Sequence, residues 1–121
     1  MTELDHLYQQ LRHIINEETA TIGQPYTYGA FTGLGWLNFH YTCSTYDGPY
    51  PRMSLKQFDK AVHFYIMLWI NGKPILDDYV TVFGKSAVGK GCLRFKKLTP
   101  EREMALREII RAGLAADNLP T

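Results

Sequence analysis

This 121-residue sequence lacks a large excess of charge of either sign, more than two cysteines, and a long apolar run. Its formal net charge of +1 argues against a general nucleic-acid binder, which is usually strongly basic. Its longest apolar run, 62–70, is interrupted by His63 and is far too short to span a bilayer. Carboxylates stand near the N-terminus, where a signal peptide needs an apolar segment. We therefore expect a cytoplasmic protein that binds neither nucleic acid nor a membrane.

Cysteine is scarce as well, since the chain has only Cys43 and Cys92. Two cysteines make neither a disulfide framework nor a cysteine-based metal site, so two reduced thiols are the simpler expectation. Hydrophobic residues make up 45% of the chain, which is enough to bury a core and argues against disorder. The length fits one domain.

The stretch 84–98, GKSAVGKGCLRFKKL, carries five cationic side chains and no carboxylate. Its first seven residues match the start of a phosphate-binding P-loop, G-x-x-x-x-G-K. The eighth residue is Gly91, whereas a P-loop needs Ser or Thr there to hold magnesium. The residues that follow alternate like a strand instead of opening a helix. The match therefore does not predict nucleotide binding.

Two segments have the pattern of amphipathic helices, one near each end of the chain. Residues 2–19 carry apolar side chains three and four apart, and Thr2 is suited to cap the N-terminus. Residues 100–112 follow Thr99, a second N-cap candidate, and start with a proline. Gly113 is predicted to stop this second helix.

Between the helices, alternating residues predict strands within about 27–70 and at 92–98. The run 61–70, AVHFYIMLWI, is apolar at both alternating sets of positions, so it is predicted to be a central strand covered on both sides. The segment 43–51, CSTYDGPYP, has the composition of a loop. The sequence therefore predicts a single α+β domain.

Local sequence leaves the segment 73–83 undecided. The Asn-Gly pair at 71–72 is a strong hairpin signal and favours a returning strand. A proline suited to the first helical position favours a short helix over about 74–83 instead. The acidic pair at 77–78 suits an early helical turn, while the β-branched residues at 80–82 suit a strand.

A polar and aromatic strand face beside the basic loop gives the strongest indication of function. Leu37, Phe39 and Tyr41 are predicted to enter the core, which turns the alternate residues outward. Those outward residues could wall a groove, and the basic loop could offer charge and backbone N–H groups to a small anionic ligand or an acidic protein partner. We therefore predict a non-enzymatic binding or partner-interaction domain with no cofactor. The predicted binding residues are Trp36, Asn38, His40, Trp69, Lys85, Lys90 and Arg94.

Three segments resemble the YdhG-like family of small bacterial proteins. They are FHY at 39–41, AVHFY at 61–65, and GKGCLRFKKL at 89–98 followed by a helix containing ALREIIR. The last is the most specific, and the resemblance covers about residues 30–112. It implies an antiparallel sheet flanked by helices from the two ends of the chain, with a short helix at 73–83.

Some relatives in that family are described as frataxin-like iron chaperones, so the resemblance implies iron binding and delivery as an alternative function. Iron delivery needs hard oxygen ligands. The candidate carboxylates are Glu17, Glu18, Asp77 and Asp78. They are few and divided along the chain, and the family supplies no fixed ligand set to transfer.

An enzyme is a third hypothesis, with Cys43 or Cys92 as nucleophile and His40 or His63 as base. No flanking signature supports such a pair. A homodimer is also expected to be possible, because a small sheet with few helices leaves an edge strand or an apolar face to cover.

Overall fold

The structure, a computed structural model, describes residues 2–28, 31–66, 69–70, 73–89 and 91–115. Its helices are α1 (Glu3–Thr19), α2 (Val80–Phe83) and α3 (Pro100–Ala115), with 3-10 helices at Ile75–Tyr79 and Lys85–Ala87. Its strands are β1 (Gln24–Tyr28), β2 (Phe31–Cys43), β3 (Tyr46–Gln57), β4 (Val62–Ile66), β5 (Trp69–Ile70), β6 (Lys73–Pro74) and β7 (Cys92–Phe95). Five strands form an antiparallel sheet in the order β1-β2-β3-β4-β7. The predicted α+β domain, with a sheet and a helix from each end of the chain, is confirmed.

Helix α1 begins at its predicted cap. The Asp5 N–H donates to Thr2 Oγ1 (3.1 Å), and the Thr2 N–H donates to Asp5 Oδ2 (2.9 Å), which completes a capping box. The helix ends at Ala20, whose φ of 54° is left-handed and whose N–H donates to the Asn16 carbonyl. Its buried stripe consists of Leu7, Leu11, Ile14 and Ile15.

Alternation along three strands gives the sheet two different faces. Leu55, Phe64 and Leu93 are paired in one row across β3, β4 and β7 and are completely buried. They share a core cluster with the apolar residues of α1 and α3, so both helices cover this face. We call the opposite side the outer face. In β4 every second residue is buried, while His63 and Tyr65 on the outer face are only half-buried. The prediction of a strand covered on both sides is therefore wrong for this part.

The segment 43–51 is also not the predicted loop. Strands β2 and β3 form one long hairpin with its turn at Ser44 and Thr45. Strand β1 pairs with residues 31–35 of this hairpin, and β4 pairs with residues 53–57. The turn end of the hairpin, residues 36–52, therefore extends beyond the neighbouring strands as a two-stranded arm. Pro49 and Pro51 are tolerated there, since a strand with one neighbour has no second ladder to interrupt.

Phe39 and Tyr41 do not enter the main core as predicted. The Tyr50 ring lies 6.2 Å from Phe39 and 5.4 Å from Tyr41 between centroids, and 6.3 Å from Tyr26. Tyr26 pairs with Gly33, at a position that alternation assigns to the outer face. These four rings therefore form an aromatic cluster at the base of the arm.

The undecided segment contains both predicted elements, because Lys73–Pro74 form β6, which pairs antiparallel with β5, and residues 75–83 are helical. Its 3-10 helix continues directly into α2, as the family resemblance implied. Leu76 and Phe83 are buried and belong to the main core, so tertiary packing outweighs the β-branched residues at 80–82. Gly84 ends α2 with a φ of 91°, and its N–H donates to the Val80 carbonyl (2.8 Å).

Helix α3 starts as predicted, with the Arg102 N–H donating to Thr99 Oγ1 (3.2 Å). Gly113 does not stop it, because the helix continues to Ala115. A Cβ at Gly113 would lie 2.9 Å from Ile66 Cδ1, so this glycine serves the close approach of helix and sheet. Among the helices that the structure describes, none is long and apolar enough to cross a membrane.

Candidate anion-binding face

Three basic side chains stand directly opposite one another on the outer face. Strand pairing places Lys56 of β3 against His63 of β4, and His63 against Arg94 of β7. Like charges opposite one another on adjacent strands destabilise a sheet by roughly 0.2–1 kcal/mol. The fold therefore holds together a set of groups that repel one another when all three are protonated.

A second row runs beside the first and consists of Ser54, Tyr65 and Cys92. His63 links the two rows, because its Nδ1 lies 3.2 Å from the Tyr65 hydroxyl and 3.8 Å from Cys92 Sγ. We call Lys56, His63, Tyr65, Cys92 and Arg94 the outer-face cluster. No carboxylate occupies any of the six paired positions in these two rows.

Neighbouring groups fix the positions of the cations. Lys56 Nζ lies 4.8 Å from the centroid of the Phe58 ring, within range of a cation–π interaction. The Phe58 ring also packs against the His63 imidazole, with 4.3 Å between centroids. Arg94 Nη1 donates to the Ser86 carbonyl (2.9 Å) in the loop before β7. The cluster therefore combines a half-buried imidazole with two cations held at its sides.

Burial and charge change the titration of the cluster. Burial, aided by the nearby Arg94 guanidinium, lowers the pKa of His63. Burial raises the pKa of the Cys92 thiol, and Arg94 opposes that shift. Burial also raises the pKa of Tyr65. At neutral pH the cluster thus contains two fixed positive charges, a neutral imidazole and a protonated thiol.

The structure contradicts the prediction for Trp36. Its side chain is 1% exposed and packs in the core, where its Nε1–H donates to Asn16 Oδ1 (2.8 Å). The next residue, Leu37, has a φ of 57°, which is rare for a residue other than glycine, and it packs against the core instead of pairing with β3. Trp36 therefore does not wall a groove.

The other predicted groove residues do not come together either. Asn38 and His40 are exposed on the hairpin arm, opposite Pro51 and Pro49. His40 Nε2 lies 2.6 Å from Asp47 Oδ1, in an ion pair when the imidazole is protonated. The side chain of Trp69 lies outside the described residues. The predicted groove is thus replaced by an arm whose histidine contacts a carboxylate.

Among the described residues of the predicted basic loop, Arg94 is the cation that belongs to the outer-face cluster. Arg94 was predicted from the sequence as a binding residue, and the structure places it beside His63. Lys85 is exposed in the 3-10 helix before β7, on the loop whose carbonyl holds Arg94. Lys90 lies outside the described residues.

Two of the four candidate iron ligands are engaged in ion pairs. Arg107 Nη1 lies 2.6 Å from Glu17 and 2.8 Å from Glu18, and Arg111 Nε lies 2.6 Å from Glu18. Hydrogen bonds from Arg111 and Arg107 lower the pKa of Glu18. These acids therefore join the end of α1 to α3 instead of presenting an acidic patch.

Asp77 and Asp78 are exposed on the 3-10 helix that precedes α2. Across the part of the chain that the structure describes, no three His, Cys, Asp or Glu side chains form a group able to hold a metal ion. The four predicted carboxylates thus do not form one site there.

Sequence reasoning missed Lys56 and Tyr65 and considered His63 and Cys92 only as a possible enzyme pair. A signal was present, because polar residues at 54 and 56, 63 and 65, and 92 and 94 alternate with apolar ones. Such alternation identifies a face within each strand. It does not say which strands are neighbours, so the row of basic residues appears only in the folded sheet.

Comparison of the chain with protein-family models, with curated proteins and with solved structures gave no match.

Proposed function

We propose that this protein is a small binding domain whose outer-face cluster holds the carboxylate or phosphate groups of a small anionic ligand. The observation that carries the proposal is the row Lys56–His63–Arg94, in which the strand register places three basic groups side by side. An anion between them would be attracted by Lys56 and Arg94, would favour protonation of His63, and would form charge-assisted hydrogen bonds.

The half-buried floor of the cluster favours a small ligand over a flat protein partner. His63, Tyr65 and Cys92 are partly shielded, while Arg94 is exposed at the side. A small anion can reach the imidazole and the guanidinium together. An acidic protein, the other partner predicted from the sequence, would use the same cations through its Asp and Glu side chains.

An iron-delivery function has less support from the contacts. Glu17 and Glu18 are occupied by arginines, and the cations of the outer-face cluster repel a metal ion. The cytoplasmic location, the homodimer and membership of the YdhG-like family remain predictions that belong to this proposal.

The test is a titration of the protein with phosphate, pyrophosphate and citrate, followed by NMR of the His63 imidazole. An anion at the cluster stabilises the imidazolium, so each ligand that binds should raise the pKa of His63. Arg94→Gln should weaken binding about tenfold, which corresponds to the loss of one charge-assisted hydrogen bond. In the unliganded protein the same variant should raise the pKa of His63, since it removes a neighbouring positive charge.

Arg12→Gln is the matched control, because it removes one positive charge from α1, on the other side of the sheet. It should leave binding within a factor of two. If none of the three anions moves the His63 pKa while a poly-glutamate peptide does, the small-ligand proposal is wrong and the acidic partner takes its place. If no anion has an effect, the binding face itself is rejected.

A further inference from the structure

The two cysteines have different surroundings. Cys92 is half-buried in the outer-face cluster, with its Sγ 3.8 Å from His63 Nδ1. Cys43 is exposed at the end of β2, with its Sγ 3.5 Å from Thr45 Oγ1. Next to it, Thr42 pairs with Asp47, so the nearest charged group on the facing strand is a carboxylate. One thiol therefore lies among cations and the other beside an acid.

The position of His63 suits the transfer of a proton from Cys92. Its Nδ1 lies 3.8 Å from Cys92 Sγ and 3.2 Å from the Tyr65 hydroxyl, and the lowered pKa favours the neutral ring near pH 7. A neutral imidazole can accept a proton through that nitrogen. Because the Cys92 pKa is raised by burial, the thiol is protonated in the resting state and needs such a base before it can react.

Charge at the same place favours a particular class of reaction partner. Arg94 is two residues from Cys92 on the same face of β7, and Lys56 lies on the other side of His63. These cations disfavour a metal ion at the thiol and attract a molecule that carries carboxylates close to its reactive atom.

We propose that Cys92 is a modification site for anionic low-molecular-weight disulfides, which the basic row Lys56–His63–Arg94 binds and presents to the thiol. The inference rests on the proposed function, because the same cations would bind the carboxylates of the disulfide.

The step is a thiol–disulfide exchange. The Cys92 proton passes to His63 Nδ1, and the sulfur attacks one sulfur of the disulfide. A new bond forms between Cys92 Sγ and that sulfur, while the disulfide bond of the reagent breaks. The departing thiolate takes the proton from His63 and leaves as a thiol. Cys92 is oxidised to a mixed disulfide and half of the reagent is reduced, so no further oxidant is needed.

The experiment compares an anionic and a neutral disulfide on each thiol separately. The variant Cys43→Ser retains only Cys92, and Cys92→Ser retains only Cys43. Rates are measured at pH 7.5 and low salt with 5,5′-dithiobis(2-nitrobenzoate), which carries two carboxylates, and with neutral 2,2′-dithiodipyridine. For each thiol the ratio of the two rates is calculated, so that the differing thiolate fractions of Cys92 and Cys43 cancel. Mass spectrometry identifies the modified residue.

We expect the anionic-to-neutral ratio to be at least tenfold higher for Cys92 than for Cys43. Arg94→Gln in the Cys43→Ser background should lower the ratio at least threefold, whereas Arg12→Gln should not change it. His63→Gln should slow both reagents and leave the ratio within twofold, because it removes the base and keeps the two cations. Equal ratios for the two thiols, or a ratio insensitive to Arg94, would overturn the inference.

The phosphate titration of the same Cys43→Ser protein separates this inference from the proposed function. If phosphate raises the His63 pKa while the rate ratio is not elevated, anion binding stands and the modification site is rejected. If the ratio is elevated and depends on Arg94 while phosphate, pyrophosphate and citrate all leave the His63 pKa unchanged, the modification site stands and the small-anion function is rejected. If both measurements are negative, both proposals fall.

Discussion

Asn16 is expected to link α1 to the segment before β1 and to β2 through its side-chain oxygen. Its Oδ1 accepts the Trp36 Nε1–H (2.8 Å) and the Gly23 N–H (3.1 Å). Trp36 is 1% exposed and Gly23 is buried, so both donors depend on this acceptor. Asn16→Ala removes the acceptor and leaves the backbone of α1 unchanged.

The magnitude follows from the two orphaned donors. An unsatisfied buried donor costs about 1–3 kcal/mol, which gives about 2–6 kcal/mol for two. Asn16 is only half-buried, so water can reach part of the vacated space and the lower half of that range applies. Alanine regains about 0.5 kcal/mol of helix propensity. We therefore expect a loss of about 2–3 kcal/mol of unfolding free energy.

Urea denaturation measures this loss. With a slope of about 1.5 kcal/mol per molar urea, the midpoint should fall by about 1.5–2 M. A double-mutant cycle with Trp36→Phe isolates one of the two bonds, because phenylalanine has no N–H. The coupling between the two substitutions should be at least about 1 kcal/mol. A loss below about 0.5 kcal/mol for Asn16→Ala, or additive effects in the cycle, would refute the reasoning.

Three further substitutions test the packing and the ion pairs. Gly23→Ala should lower the free energy of unfolding by about 2 kcal/mol or more in the same urea assay, because the new Cβ would lie 2.5 Å from Trp36 Cζ2. Gly89→Ala is the control, because the nearest atom to its new Cβ is 3.5 Å away, and it should change the free energy of unfolding by less than about 0.5 kcal/mol. Glu18→Gln should destabilise by about 1 kcal/mol at pH 7. Since arginines lower the folded-state pKa of Glu18, its contribution is present above the unfolded pKa of about 4.3 and is lost as the pH falls through the lower folded value. Thermal unfolding of both proteins from pH 7 to pH 2 should therefore show the difference shrinking below about pH 4, and a constant difference would contradict the assigned ion pairs.

Repulsion within the outer-face cluster lowers the stability of the sheet when His63 is protonated. Lys56 and Arg94 flank His63 across three strands, so protonating the imidazole adds repulsion. The pKa of His63 is lowered by burial first and by the Arg94 guanidinium second. On a sheet face, opposite charges on neighbouring strands stabilise the pairing, whereas like charges directly opposite one another destabilise it.

The first turns of the two long helices could be predicted from sequence because their capping signals are local. Thr2 with Asp5, and Thr99 before Pro100, fix the first turn through contacts three residues apart. The apolar stripe of α1 likewise follows from the helical repeat. Local signals failed at Gly113. Glycine often ends a helix, but this glycine lies within α3 and allows the helix to pack closely against Ile66.

Local sequence patterns predicted the strands less completely than the helices. The alternation of 36–41 was read correctly as extended chain, but the side of β2 that faces the core was assigned wrongly. Trp36 is buried because Asn16 and Gly23, far away in the chain, provide a partner and a space for the indole. The loop prediction for 43–51 failed because prolines can occupy a strand that has one neighbour.

Sequence alone predicts the two long helices, their N-caps and the presence of alternating strands, because each depends on residues a few positions apart. It also determined that Lys56, His63, Cys92 and Arg94 would lie on strand faces. Only the tertiary structure decided that these residues meet, since strand order and register depend on contacts across the whole chain. A shift of one residue in either pairing would turn the facing strand over and separate the row, so the candidate site is a property of the register.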